Sequence, residues 1–450
     1  MRPSRSARYD GTPTRSSPSR TSMLKDPGSG GRLTASKAFH TEAMYVQPYD
    51  RRMSFVPLEG LRVLDVTSSL AGPYCTEILA ALGAEVVKVE RPDAGDETRQ
   101  WWPSWHGDGV MFLCANAGKR SLALDLTHPD GLEALLRLAD RADVFVQSLR
   151  PGVAERRGLG PDVLRARNRR LVYCSIGSYG NRGPLRERPG YDPLMQAFAG
   201  IVSVTGEPDR PGVRTGASLV DQGTGLWVAL GILAALRERD ATGRGRVVEV
   251  SLYETAVGLL PYHLTGYLAT GEVPGRHGTA YPAIVPYQTF AAADGELMVA
   301  AANDRLFAAL CVALDLPELP RDERFATNRS RVAHREELVS LLAARFAAES
   351  RAAWVERLGE AGVPAAPVQD VGEVARHEQT AALGLLQDLG PYTTVAPPIS
   401  VDGERVLHRR PAPALGAHTA EVLAEAGYTE EEVAALSAAG AVRLGNGPAR

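Results

Sequence analysis

The sequence has few cysteines, and none of them lie close together. Cys75, Cys114, Cys174 and Cys311 are the only four in 450 residues, and they form no CxxC motif. Disulfide frameworks and structural zinc sites are built from closely spaced cysteines, so the sequence predicts neither. Sparse cysteines are typical of a protein in a reducing compartment, and we predict a cytoplasmic location.

A strong net charge and a long apolar run are also missing. The formal net charge is -3 at pH 7, which does not indicate a nucleic-acid-binding protein. The longest apolar run, near 226–236, is too short to cross a bilayer. We therefore expect neither nucleic acid nor a membrane among the partners.

Lysine is scarce as well. Only four of the 50 Lys and Arg residues are lysines. This preference for arginine, together with abundant alanine, indicates GC-rich coding rather than a function. It makes Lys88 and Lys119, the two lysines outside the N-terminal tail, more informative.

Several catalytic signatures are absent. No GxGxxG follows the first predicted strand, which disfavours an ordinary nicotinamide site. The turn 118–121 (GKRS) lacks the upstream glycine of a P-loop, and the sequence has no HExxH, no GxSxG and no metal-type His/Cys cluster. We predict no metal site and no tightly bound cofactor.

Residues 1–56 have the composition of a tail. They are rich in Ser, Arg, Pro and Gly and show no sustained apolar period, which predicts a disordered N-terminal extension. Two alternatives stay open. Met53 would be the true first residue if the start is over-long, and an Arg- and Ser-rich, acid-poor stretch can also be a transit peptide.

The next part of the chain alternates strands and helices. Apolar runs predict strands at 61–66, 84–89, 144–147, 171–176 and 246–250, and helical patterns lie at 73–82, 129–139, 161–167, 192–200 and 223–238. Strands that alternate with helices predict a parallel, doubly wound α/β sheet. This large domain would span 57–250.

The second half predicts a smaller unit. One long helix over 251–268 and a loop over 271–286 form a linker, 251–285, to a small α+β domain at 286–370. That domain would contain a strand at 297–301, helices at 303–314, 333–348 and 351–361, and a connector at 363–370. Residues 371–450, with helices at 417–426 and 429–438, would return to the large domain and form the C-terminal tail.

Three basic residues follow predicted strands. Lys88, Arg91 and Arg150 lie near carboxyl ends of strands, where open α/β sheets bind ligands. Basic residues at such positions are often simply solvated. Their shared location favours a ligand with several phosphates.

Asp221 opens a predicted helix. Taken alone, it has the pattern of an N-cap, a position that aspartate favours. Gly223 and Gly225 indicate that this turn does more than cap a helix, since each glycine costs up to about 1 kcal/mol in a helix relative to alanine. Such glycines make sense where something approaches the backbone closely. A helix N-terminus also favours the carboxylate anion, which is the form that a carboxylate nucleophile needs.

The chain from about Leu58 onward resembles the class III CoA-transferase family (the CaiB/BaiF type). The resemblance rests on ordered segments that include LEGLRVLDVTSSLAGPYCTEILAALGAEVVKVERP, NAGKRSLALDL, RPGVAERRGLG, RPGYDPLMQAFAG, VDQGTG and GILAALRERDATGRGRVVEVSLYE. It implies a Rossmann-like large domain built from both chain ends, a small domain, and two chains interlocked as a homodimer. Acyl-CoA and a carboxylic acid would be the substrates.

The resemblance also implies site residues. The Asp-x-x-Thr-Gly motif reads 221–225 here, which gives Asp221 the role of catalytic carboxylate. The implied CoA contacts are Leu70, Ala71, Arg91, Leu124, Asp125, Ser148, Leu149, Arg150, Arg156, Tyr191 and Asp192. The family often has Asn-Phe where this chain has Ser148-Leu149, so those two contacts are a departure from its pattern.

Two alternative functions compete with transfer. Racemases of the same family carry His before the Asp of Gly-His-Asp, and this chain has Tyr191 there, whose ordinary pKa near 10 makes it a poor acid/base. The other alternative is a CoA-binding protein without catalysis, against which the intact Asp221 argues. The segment 277–290 (HGTAYPAIVPYQTF) resembles the branch that uses succinyl-CoA or other dicarboxylic acyl-CoAs.

Overall fold

A seven-stranded sheet between layers of helices forms the larger part of the molecule. The structure is a computed structural model that describes residues 55–445, so all but the last two residues of the predicted extension lie outside it. The strands are β1 (Arg62–Val66), β2 (Glu85–Glu90), β3 (Ser104–Trp105), β4 (Asp108–Gly109), β5 (Arg120–Leu124), β6 (Val144–Gln147), β7 (Val172–Gly177), β8 (Val247–Ser251), β9 (Tyr287–Ala292), β10 (Gly295–Ala300), β11 (Ala365–Pro367), β12 (Leu386–Asp388), β13 (Thr393–Val395), β14 (Ser400–Val401), β15 (Glu404–Arg405) and β16 (Val442–Arg443).

The helices connect these strands and cover the sheet. They are α1 (Ala71–Ala81), α2 (Val110–Ala115), α3 (Pro129–Ala139), α4 (Val153–Arg156), α5 (Pro161–Arg167), α6 (Asp192–Phe198), α7 (Ile201–Val204), α8 (Leu219–Thr242), α9 (Leu252–Gly258), α10 (Pro261–Thr270), α11 (Asp304–Ala313), α12 (Asn328–Ala333), α13 (Arg335–Phe346), α14 (Arg351–Glu360), α15 (Val371–Arg376), α16 (Glu378–Ala382), α17 (Thr419–Glu425) and α18 (Glu430–Ala438).

The order of the strands places a crevice in the middle of the sheet. The order is β16-β5-β2-β1-β6-β7-β8, with parallel pairing from β5 to β8 and antiparallel pairing of β16 to β5. The chain moves outward from β1 through β2 to β5, then returns to the other side of β1 with β6. Ligands of open α/β sheets bind at such a reversal, outside the carboxyl ends of the strands. The C-terminal β16 confirms that both chain ends build the sheet.

Alternating strand residues bury both faces of the sheet. On one face Leu64 packs in a core that includes Leu135 of α3 and Val422 of α17. On the other, Val63 packs in a core with Leu79 of α1 and Ile232 of α8. Successive strand residues point to opposite faces, so both faces are buried, which confirms the predicted doubly wound sheet.

A separate apolar core lies around the three-stranded antiparallel sheet β11-β10-β9. Phe290, Leu297 and Phe307 are buried there, together with Phe346 and Trp354 from α13 and α14. This is the α+β arrangement expected for the smaller unit. Its boundaries at 286 and 370 stay a prediction.

Two of the predicted elements differ in kind from those of the structure. The single helix over 251–268 was wrong, because the helix breaks into α9 and α10 before Pro261. Proline has no N–H to donate to the preceding turn and its ring collides with that turn's carbonyl. The connector over 363–370 was also incomplete, since its middle forms β11 and pairs with β10 through Val299 and Ala365.

Within the described residues, α8 is long and apolar enough to cross a bilayer by length and composition. A core helix of a soluble protein meets the same criterion. Val228 and Ile232 of α8 are fully buried in the core beneath the sheet, which is the environment of a core helix.

Candidate active site

A cavity of about 650 Å³ lies at the reversal of strand order. Its walls come from the residues that end or follow β1, β2, β5, β6 and β7, with Asp221 of α8 and Leu252 of α9 closing one side. The topology alone places these chain segments at one edge of the sheet. The cavity is therefore the candidate active site.

Most of the residues that the sequence singled out meet in this cavity. Nine of the twelve line it: Ala71, Arg91, Leu124, Asp125, Ser148, Leu149, Arg150, Tyr191 and Asp221. The other three, Leu70, Arg156 and Asp192, are not among its lining residues. That these residues contact CoA stays a prediction.

Positive charge enters the cavity from three arginines. Arg91 and Arg150 were expected, and Arg157 was not. Arg157 directly follows Arg156 at the end of the short helix α4, and two adjacent arginines give no sequence signal as to which one faces a ligand. A ligand with several phosphates would find its counter-charges here.

Asp221 lies inside the first turn of its helix rather than capping it. Helix α8 begins at Leu219, and the preceding residue is Ser218, so the N-cap interpretation of Asp221 was wrong. Burial, and then the nearby carboxylate of Asp192, raise the pKa of Asp221 to about 7. Among residues 55–445 no hydrogen-bond donor is engaged with the Asp221 carboxylate, which leaves its oxygens available to a ligand.

Known proteins resemble this chain over most of its length. A family model described as CoA-transferase family III matches residues 58–419. A Mus musculus protein named succinyl-CoA:glutarate CoA-transferase is 37% identical over 396 residues, which cover 86% of this chain and 91% of that protein. An acetyl-CoA:oxalate CoA-transferase of Acetobacter aceti is 37% identical over 79% of this chain and 92% of its own length.

A solved structure agrees with these matches. The crystal structure of a CAIB/BAIF family protein from Brucella suis has a TM-score of 0.77 at 38% identity, over 82% of this chain and 99% of that one. The chain belongs to CoA-transferase family III. It is an enzyme that transfers CoA, and its substrates are therefore CoA thioesters and carboxylic acids. The relatives reported above are named as CoA-transferases, as the transfer interpretation expects.

The lysines of this transferase do not offer charge to a ligand. Lys88 is fully buried, and its Nζ lies 2.8 Å from Asp96 Oδ2 and donates to the carbonyl of Thr67 at 3.1 Å. Lys119 is also fully buried, and its Nζ lies 2.9 Å from Asp65 Oδ2. The expectation that Lys88 faces phosphates was wrong. Both lysines instead form ion pairs with buried carboxylates.

The loop between β1 and α1 is held in place by Asp96, the partner of Lys88. Asp96 Oδ1 accepts hydrogen bonds from Thr98 N at 3.0 Å and from Ser69 N at 3.3 Å. Ser69 has a φ of 68°, a left-handed conformation that side chains other than glycine rarely adopt. Such strain persists only where surrounding contacts hold it, and it is common at functional sites. This loop continues into Ala71 on the cavity wall.

Gly225 explains why the motif needs a small residue. A Cβ on Gly225 would lie 2.8 Å from the carbonyl oxygen of Ala71 and 2.9 Å from the ring of Tyr74. The close approach expected from the sequence therefore exists, but it is made by α1 rather than by a ligand. Gly225 lets the helix of Asp221 pack against the helix that begins at the cavity wall.

Proposed function

We propose that the enzyme takes CoA from succinyl-CoA or another dicarboxylic acyl-CoA and transfers it to a carboxylic acid through Asp221. One observation carries the proposal. The same cavity presents three arginines, Arg91, Arg150 and Arg157, and the half-buried carboxylate of Asp221, which has no hydrogen-bond donor among residues 55–445. The arginines suit the phosphates of CoA, and the carboxylate suits its thioester end.

The relatives' names support the dicarboxylate branch. Besides the mouse protein, an Agrobacterium fabrum relative is named succinate–glutarate CoA-transferase and a Chloroflexus aurantiacus relative succinyl-CoA–D-citramalate CoA-transferase. These names pair succinate with a second acid that carries two carboxyl groups. The sequence of residues 277–290 favours the same branch.

The proposed reaction keeps the energy of the donor thioester bond in two kinds of covalent intermediate on Asp221, a mixed anhydride and a CoA thioester. The Asp221 carboxylate attacks the donor thioester carbonyl, and the C–S bond breaks to give a mixed anhydride and CoA thiolate. The thiolate attacks the Asp221 carbonyl, releasing the donor acid and forming an aspartyl-CoA thioester. The acceptor carboxylate then attacks this thioester and expels thiolate, giving a second anhydride. Thiolate attack on the acceptor carbonyl forms the product and restores Asp221.

A screen of donors against acceptors tests this proposal. We expect CoA to move from succinyl-CoA to several acids with two carboxyl groups, and at least tenfold more slowly to acetate or butyrate. A site that binds a second carboxylate leaves its own polar groups unpaired when the acceptor has an apolar tail instead. Mass spectrometry of each mixture identifies the acyl-CoA formed. In the quenched native enzyme, an adduct on the peptide that contains Asp221 is expected. Equal rates for monocarboxylic and dicarboxylic acids would contradict the assigned branch, and an adduct elsewhere would contradict the nucleophile.

We also propose that two copies form the interlocked homodimer that the resemblance implies. None of the ten residues of α10 is buried against the rest of the described chain, although Tyr262, Tyr267 and Leu268 are apolar. On α8, Leu226, Trp227 and Leu230 are each more than half exposed. Exposed apolar faces of this kind are typical of protein interfaces.

Light scattering on the eluted enzyme tests the dimer. We expect a mass of twice 48.1 kDa, and a smaller species for Trp227→Glu, because a charge in a packed apolar interface is costly to bury. Val312→Glu is the matched control, since Val312 is exposed on α11 and should leave the mass unchanged. A native enzyme that elutes as a monomer at all concentrations would refute the dimer.

A further inference from the structure

The helix that carries Asp221 begins without a cap of its own. Its N-cap residue, Ser218, makes no side-chain hydrogen bond to the first turn. The first turn of any helix leaves backbone N–H groups without partners inside the helix. Here that turn holds the nucleophile of the proposed reaction, so whatever satisfies these groups also fixes the position of Asp221.

A carboxylate from another helix supplies the missing acceptor. Asp192 Oδ2 accepts from the N–H of Val220 at 2.8 Å and from that of Asp221 at 3.2 Å. Its other oxygen, Oδ1, accepts from Gln196 Nε2 at 2.6 Å. Gln196 in turn accepts from the N–H of Thr215 at 2.9 Å. Both oxygens of Asp192 are therefore committed.

Asp192 is separated from the cavity by this arrangement. The residue is 2% exposed and does not line the cavity, whereas its neighbour Tyr191 does. A residue that contacted CoA through its carboxylate would face the cavity. The geometry thus gives Asp192 a different task from the CoA contact that the resemblance implied.

We infer that Asp192 is a positioning residue, which fixes the backbone of Asp221 by accepting the N–H groups of Val220 and Asp221. This inference rests on the proposed role of Asp221 as nucleophile. The opposite side of the same turn is held by Thr224, whose Oγ1 lies 2.7 Å from the carbonyl oxygen of Val220 and 2.9 Å from Thr255 Oγ1 of α9. The first turn is clamped between α6 and α9.

The charge of Asp192 has a second effect on the nucleophile. Burial is the main reason that the pKa of Asp221 is raised to about 7, and the nearby carboxylate of Asp192 adds to it, because a like charge disfavours ionisation. A more basic carboxylate is a better nucleophile, while a large fraction remains ionised near neutral pH. Tyr74 of α1 packs against Gly225 in the same turn, and α9 contacts the turn through Thr255. Glu254, the acidic residue next to Thr255, is engaged with Ser251 Oγ at 2.6 Å.

Two substitutions separate the hydrogen bonds from the charge. Asp192→Asn keeps an acceptor oxygen and removes the charge, and Asp192→Ala removes both. Asp162→Asn is the matched control, because Asp162 is an exposed acid in the first turn of α5, outside the cavity. For each enzyme, kcat and KM for the donor acyl-CoA are measured over roughly pH 5 to 9.

We expect Asp192→Ala to lower kcat about 30-fold or more with KM changed less than about threefold, since a small misplacement of a reacting group is costly. Asp192→Asn should recover most of that kcat. The acid limb of its kcat/KM profile should move to lower pH by roughly half a unit to one unit, because a like charge next to Asp221 is gone.

Three results would overturn the inference. One is a rise in KM with unchanged kcat in Asp192→Ala, which would make Asp192 a CoA contact. Another is an Asp192→Asn enzyme that folds natively but loses about 30-fold or more in kcat, although asparagine keeps the acceptor oxygen; this result decides the matter even if the alanine variant fails to fold. The third is equal kcat for the alanine and asparagine variants. Trapping the acyl adduct on Asp221 in the native enzyme reports separately on the proposed function, so the two ideas can fail independently.

Discussion

Asp221→Asn should lower CoA transfer by at least about 10⁴-fold while CoA still binds. Removing the nucleophile of a covalent mechanism costs on this order, since only binding and electrostatic effects remain. Asparagine has nearly the shape of aspartate, so the cavity and its arginines should be retained. We expect the dissociation constant for CoA, measured by calorimetry, to stay within about threefold of the native value.

The same substitution should make the protein more stable. In the folded protein the pKa of Asp221 is about 7, against 3.8 for an ordinary aspartate. The folded state therefore binds an extra proton between these values, and native stability falls as pH rises through them. The full difference between the two pKa values corresponds to about 4 kcal/mol of unfolding free energy. Because the open cavity admits water, we expect Asp221→Asn to raise the free energy of unfolding by only about 1–2 kcal/mol at pH 8.

Activity and stability should thus change in opposite directions. Thermal unfolding at pH 8 and at pH 5 measures the second effect, and the gain should shrink at the lower pH, where native Asp221 is already protonated. Asp162→Asn again serves as control, with neither change expected. Turnover of Asp221→Asn within tenfold of the native rate would show that Asp221 is not the nucleophile. If the variant is less stable than the native enzyme at pH 8, misfolding rather than the missing nucleophile would explain the lost activity.

Much of the large sheet could be predicted from local sequence. Helix α3 spans Pro129–Ala139 as expected, because Pro129 suits a first helical turn and His128 accepts from the N–H of Asp130. Strand β6 was likewise placed at Val144–Gln147, since its short apolar run is buried on both faces. Both signals lie within a few residues of the element they specify.

The roles of single polar residues could not be predicted in the same way. Lys88 follows the pattern of a basic residue at a strand end, yet its charge is enclosed because Asp96, eight residues later, folds back onto it. Asp192 looked like a cavity residue, and its actual partners, Val220 and Asp221, are 28 and 29 positions away. Such roles depend on contacts between distant segments, which no local pattern encodes.

The spacing of the site residues was easier to predict than their orientation. Asp221, Arg91 and Arg150 do line one cavity, since the switch in strand order brings their segments to one edge. For the adjacent pair Arg156 and Arg157, topology places both at that edge, and only the end of the short helix α4 decides which one reaches the cavity.

Gly225→Ala should destabilise the enzyme, although alanine is the better helix former. The added Cβ would lie 2.8 Å from the backbone oxygen of Ala71, closer than such atoms approach without movement. Forcing α1 and α8 apart should cost about 2–3 kcal/mol after the helix-propensity gain is included. Because Ala71 lines the cavity, KM for the donor acyl-CoA should also rise. The midpoint of urea unfolding and KM measure the two effects.

Gly359→Ala is the same substitution in another helix, and we expect it to raise stability rather than lower it. Gly359 lies in α14 with open space where its Cβ would be, so alanine there should stabilise by up to about 1 kcal/mol without affecting transfer. The pair distinguishes two reasons for a glycine beside the nucleophile. If Gly225 makes room for α1, its alanine variant unfolds at lower urea than native. If it makes room for CoA, that variant keeps native stability and loses only CoA binding, and the packing explanation is then wrong.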